Sequence, residues 1–127
     1  MIECFNPYVL PTIEFVGGET QELLFNMYFY QGKKPFSMVG CISSFSIVSF
    51  NNKNGSPILR KDMTVLENQD GTSLNVLSVE LTPEETYKLS GKYIYQISIK
   101  DVSGNIEIPK QGLMYIINNI NKGFITS

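Results

Sequence analysis

The chain has 127 residues, of which 43% are hydrophobic and only 17% charged, with a formal net charge of −2. This composition excludes a disordered chain. With a single arginine, Arg60, it also lacks the basic face needed to displace counterions from phosphates, and no stretch reaches the roughly 18 apolar residues of a membrane span, so neither nucleic acid nor membrane is expected as a partner.

The length suits one domain over 1–127, with a core at about 12–118 and termini free to extend as arms. Met1 to Leu10 lacks the basic-then-apolar order of a secretory signal, so synthesis in the cytoplasm is expected. Two cysteines, Cys4 and Cys41, are too few for a disulfide scaffold. One bridge between them is an alternative to two free thiols, with Cys41 as a small core residue.

Along the chain, short apolar runs alternate with turn signals, and no repeat or linker interrupts them. "TIEFV" (12–16) reads as a strand stopped by Gly17-Gly18. "QELLFNMYFY" (21–30) places Leu23, Phe25, Met27 and Phe29 on one face, with Leu24, Asn26, Tyr28 and Tyr30 on the other. Both faces are partly apolar, which predicts a central or covered strand. After the turn "QGKKP", "FSMVG" leads into "ISSFSIVSF" (42–50), whose small hydroxyl side chains suit a closely approached sheet surface. Asn54-Gly55 and Pro57 form a strong turn. "ILRKDMTVLE" (58–67) and "SLNVLSVEL" (73–81) read as a hairpin closed at Asp70-Gly71.

Next comes "TPEETYKL". Thr82 is a good N-cap, Pro83 occupies the first helical position, and Glu85 completes a T-x-x-E capping box. One or two helical turns are expected, stopped by Ser90-Gly91. "KYIYQISIKD" (92–101) then alternates Tyr93, Tyr95, Ile97 and Ile99 against Ile94, Gln96, Ser98 and Lys100. A turn at 101–105 leads to the last strand region, 106–120, broken at Pro109. The pattern predicts an all-β fold, an immunoglobulin-like antiparallel β-sandwich of about seven strands with one short helical crossover. Tyr93 stands where a tyrosine-corner residue would, its hydroxyl within reach of the backbone of 86–90. An ordinary half-buried tyrosine is the alternative.

Little in the sequence points to catalysis. There is no histidine, which removes the commonest general base, the histidine-based triads and histidine metal sites. "VGGE" (16–19) joins strands and opens no helix, so it is not read as a phosphate loop. Asp62, Asp70 and Asp101 begin no calcium loop. Glu84 and Glu85 are explained by the helix N-terminus, and Lys33-Lys34 and Arg60-Lys61 as solvated charge. No cofactor or metal is expected.

The eight phenylalanines and seven tyrosines remain. Tyr28, Tyr30, Tyr95 and Tyr115 are candidate exposed rings, either for a glycan platform or for a protein interface, although aromatic residues in strands belong first to cores. Phe124 and Ile125 join them as interface candidates in the segment 119–127, expected to lie outside the sandwich, as is 1–10. Low charge and eleven asparagines fit a subunit that buries surface in an assembly.

"GETQELLFNMYFYQGKKPFSMVG" (18–40), with Gly32, Pro35 and Gly40, resembles the opening of the N-terminal domain of phage baseplate upper proteins. "LTPEETYKLSGKYIYQISIKDVSGNIEI" and the later "GLMYI" are similar to its ending. The resemblance covers roughly 12–118 and rests on turns and alternation. It implies an immunoglobulin-like domain in a phage or prophage tail or baseplate, without enzymatic activity, with other tail proteins and copies of itself as partners. As a virion component it would be made in the bacterial host cytoplasm. Departing from the family pattern, no coiled-coil heptads follow the sandwich, which favours a small accessory or adaptor subunit. The competing expectation is a carbohydrate- or cell-surface-binding sandwich module, with glycan as the partner.

Overall fold

The alternating runs become two β-sheets packed face to face. The computed structural model describes residues 2–4, 12–27, 38–52, 54–67, 71, 74–108 and 111–126. Among these lie β1 (Ile2–Cys4), β2 (Ile13–Val16), β3 (Gln21–Met27), β4 (Ile42–Ser49), β5 (Leu59–Asp62), β6 (Thr64–Leu66), β7 (Val76–Leu81), β8 (Gly91–Lys100), β9 (Ile106–Glu107) and β10 (Gly112–Ile117). Among the described residues the α-helices are α1 (Pro83–Thr86) and α2 (Gly123–Thr126), with one 3-10 turn at Phe50–Asn52. The smaller sheet has the order β1-β3-β7-β6. The larger runs β2-β10-β8-β4-β5, with β9 pairing β8.

The fold is an all-β, immunoglobulin-like sandwich, and α1 is the crossover from β7 in one sheet to β8 in the other. Three details differ from the sequence reading. The described strands number ten, because several are short edge pieces. Two pairings are parallel, β1 with β3 and β2 with β10. Parallel neighbours need a long connection, and the chain between β2 and β10 supplies one. Finally, 58–67 is divided between the sheets. Residues 59–62 pair with β4, whereas 64–66 pair with β7. Met63 is the corner, and its N–H makes a bond of 3.0 Å to the Ser43 carbonyl. Leu59, Met63 and Val65 keep one alternation and all pack on the core, so a single amphipathic run closes one side of the sandwich.

The core lies between the sheets, where β3, β4 and β8 contribute Phe25, Phe45 and Tyr95, each fully buried. Their ring centroids stand 5.7 to 6.3 Å apart. Tilted and offset pairs at this spacing each contribute about 0.5–1.5 kcal/mol beyond area burial. Around them pack Leu77, Leu81, Ile97, Met114 and Ile116. Gly112 is required by this arrangement, because a Cβ there would stand 2.4 Å from the Tyr95 ring.

Of the two end segments, residues 2–4 and 119–126 are described, and both pack on the sandwich. Residues 2–4 extend the smaller sheet as β1. Residues 119–126 fold against the β2–β3 turn. Asn119 Nδ2 donates to the Gly17 carbonyl at 2.7 Å, and Ile125 sits over Gly18. The same turn docks on α1, where Gly18 N–H donates to the buried Thr86 Oγ1 at 2.9 Å. A Cβ on Gly17 would lie 2.6 Å from the Thr86 carbonyl, so only glycine permits this approach.

Candidate interaction surface

The exposed side of the larger sheet is built by the period of two. On β4, Ser43, Phe45 and Ile47 are buried while Ser44, Ser46 and Val48 face outward. On β8, Tyr93, Tyr95, Ile97 and Ile99 face the core, and Ile94, Gln96, Ser98 and Lys100 face outward. The register sets Val48 beside Ile94, Ser46 beside Gln96, Ser44 beside Ser98 and Ile42 beside Lys100.

This surface has three zones. At one end Val48, Ile94 and Leu113 form an apolar row, and Ile94 is buried although it belongs to the outer face. The middle is polar. Gln111 Nε2 donates to Gln96 Oε1 at 2.7 Å, Gln96 Nε2 to Ser98 Oγ at 3.1 Å, and Arg60 Nε to Ser44 Oγ at 3.3 Å. These bonds tie side chains of neighbouring strands to one another across the sheet. At the other end an open cleft of about 240 Å³ is lined by Ile42, Arg60, Asp62, Lys100 and Ile106 among others. Ile42 and Ile106 are 68% and 65% exposed there. Hydrogen-bonding groups flanked by exposed isoleucines and a few charges can contact a protein surface. No group of three or more Cys, Asp or Glu that could hold a metal occurs among the described residues.

The residues singled out by the sequence occupy different places. The Tyr93 hydroxyl donates to the Ser90 carbonyl at 2.9 Å and accepts from Ser90 N–H at 3.1 Å, tying the start of β8 to the end of the crossover. At α1, Thr82 N–H donates to Glu85 Oε1 at 2.8 Å, and Glu85 N–H to the Thr82 carbonyl at 3.1 Å. The same Glu85 oxygen meets Lys61 Nζ at 2.8 Å, an ion pair joining β5 of the larger sheet to the crossover. Burial pushes the Glu85 pKa up, but the Lys61 ammonium and the Thr82 N–H outweigh it, and the carboxyl is held below its ordinary 4.5.

The two described candidate rings, Tyr95 and Tyr115, lie on opposite faces of the larger sheet. Tyr95 is a correction: it is fully buried between Phe25 and Phe45, because its parity on β8 points it into the core. Tyr115 is half-buried on the outer face. Lys92 Nζ lies 5.9 Å from its ring centroid and 3.9 Å from that of Phe50. Phe124, on α2, is 77% exposed, whereas Ile125 beside it packs on Gly18. Tyr28, Tyr30 and the Cys4 side chain lie outside the described residues. Cys41 is half-buried against the core. The sequence reading missed Lys61 as a structural cation, since its partner Glu85 is distant in sequence. It also gave no role to Ile42 and Ile106, which come together only through β8.

No protein-family model matches the chain, and no curated protein matches its sequence. Among solved structures, the chain is similar to the N-terminal domain of phage TP901-1 ORF48. The TM-score is 0.56 at 8% identity, over 93% of this chain and 94% of that one. CopC from Methylosinus trichosporium OB3b gives a TM-score of 0.42 at 14% identity, over 86% and 88% of the two chains, too slight a likeness to argue from. The first is a likeness of fold, spanning nearly the whole of both chains.

Proposed function

We propose that this chain is a non-enzymatic structural subunit of a phage or prophage tail or baseplate, working through protein–protein contacts made by the outer face of its larger sheet. The observation that carries the reading is the fold shared with the N-terminal domain of phage TP901-1 ORF48 across 93% of this chain. The motif resemblance over 18–40 and 81–108 supports the same reading independently of the superposition. The site's chemistry agrees with it. The outer face offers a hydrogen-bonded polar centre, exposed Ile42 and Ile106, and charges at both ends, with Arg60, Asp62 and Lys100 at one and Lys92 at the other. Surfaces of this kind give complementarity and exclude water, with apolar anchors carrying the energy.

The test is fractionation of a lysate from cells producing the phage or prophage that encodes the chain. The chain is expected to sediment with tail or tail-derived particles and to cross-link to a tail protein. Replacing Ile42 and Ile106 together by serine should reduce its recovery in that fraction while leaving the isolated protein folded. A chain that stays at the top of the gradient while tails assemble normally would overturn the reading.

A further inference from the structure

The larger sheet ends at β5, and the outer edge of β5 has no strand partner among the described residues. The direction of its backbone groups follows from the ladder. The bond from Met63 N–H to the Ser43 carbonyl marks residues 43 and 63 as a bonded pair. Bonded pairs in an antiparallel ladder recur at every second residue. Lys61 with Phe45, and Leu59 with Ile47, are therefore bonded pairs as well. Arg60 and Asp62 between them turn their N–H and C=O groups toward the free edge. Their side chains are exposed, both on the outer face of the sheet.

We propose that this edge pairs with the same edge of a second copy, antiparallel about a two-fold axis at Lys61. Three registers would use the free backbone groups of Arg60 and Asp62. An axis at Arg60 sets two arginines opposite each other, and an axis at Asp62 sets two aspartates opposite. An axis at Lys61 sets Arg60 against the partner's Asp62 and Asp62 against the partner's Arg60. Each of these pairs exchanges two backbone hydrogen bonds, so the register that satisfies the backbone is also the one that pairs opposite charges. A charged edge ordinarily resists strand addition. Here the opposite signs, two residues apart, make it self-complementary, as a two-fold interface must be.

Lys61 meets its own counterpart across the axis, but on the inner face. Its Nζ is held there by Glu85 Oε1 at 2.8 Å and by the Glu80 carbonyl, which neutralises the like charge. The inference goes beyond the tail reading and does not rest on it, since it follows from the edge of one strand.

Light scattering and sedimentation equilibrium on the full chain, from micromolar to millimolar, test it. A monomer–dimer equilibrium that weakens with salt is expected. Arg60→Asp and Asp62→Arg should each weaken the dimer about tenfold or more, because each puts like charges opposite. An equimolar mixture of the two single variants should form a heterodimer, and the double variant R60D/D62R should dimerise again. Recovery in the mixture also shows that both single variants fold. A wild-type chain that stays monomeric throughout overturns the proposal. So does an oligomer whose strength neither reversal alters, or a mixture that forms no heterodimer. Any of these results leaves the particle-association test of the tail reading unaffected.

Discussion

Ser43 shows how much a single side chain can be constrained by its strand. Its parity on β4 sends it inward with Phe45 and Ile47, and it is buried. Its Oγ has no hydrogen-bond partner among the described residues. An orphaned buried hydroxyl costs about 1–3 kcal/mol of desolvation. Ser43→Ala is therefore expected to raise stability by about 1 kcal/mol, read as a higher urea midpoint at unchanged slope. A lower midpoint would mean that the hydroxyl has a role the geometry does not reveal. Alternation in the sequence made the inward side of β4 legible, but not that one of its members would be left unsatisfied. Tyr95 makes the same point for function. As a letter it suits a ring platform; as a member of β8 it is a core residue, and the packing of Phe25 and Phe45 around it decided the matter.

At the scale of elements, the helical crossover was the most legible feature. Thr82, Pro83 and Glu85 form a local signal, and the bonds that satisfy it are local. The partner of Glu85 was not legible. Lys61 lies on β5, and only the packing of β5 beside β7 and α1 brings the two within 2.8 Å. The consequence is a pH dependence. The folded-state pKa of Glu85 is lowered from 4.5, so its contribution is fully present above pH 4.5 and is lost as pH falls through the lowered value. Half-exposed pairs of this kind contribute little, about 1 kcal/mol or less. Lys61→Met is expected to lower stability modestly at pH 7 and to narrow its difference from wild type as pH falls below 4.5. Denaturant titrations of both proteins at neutral and acid pH would show this. A difference that stays constant across the range would assign the effect of Lys61 to packing of its stem.

For the whole molecule, the closure of the sandwich at its ends carries the argument. The segment 119–126 is tied to the β2–β3 turn by Asn119 and Ile125, and that turn is tied to α1 through Thr86. Removing residues 119–127 takes away a long-range hydrogen bond and an apolar contact. A loss of about 1–2 kcal/mol and a lower melting temperature are expected. An unchanged melting temperature would show that the segment contributes nothing to the isolated domain. Two separate contacts are proposed on this molecule: the outer face of the larger sheet toward other proteins, and the edge at β5 toward a second copy. The two lie side by side and share Arg60 and Asp62.

By itself the sequence determined the all-β class, the two-layer arrangement, the helical crossover and the turns. These follow from alternation, from capping chemistry and from glycine and proline placement, all short-range properties of a chain. Only the tertiary structure decided that 58–67 serves both sheets, that 2–4 and 119–126 pack on the sandwich, that Tyr95 is internal, and that Ile42 lies near Ile106. Each of these depends on which strands become neighbours. Neighbour choice is set by burying many side chains at once, a cooperative property that no local stretch of residues encodes.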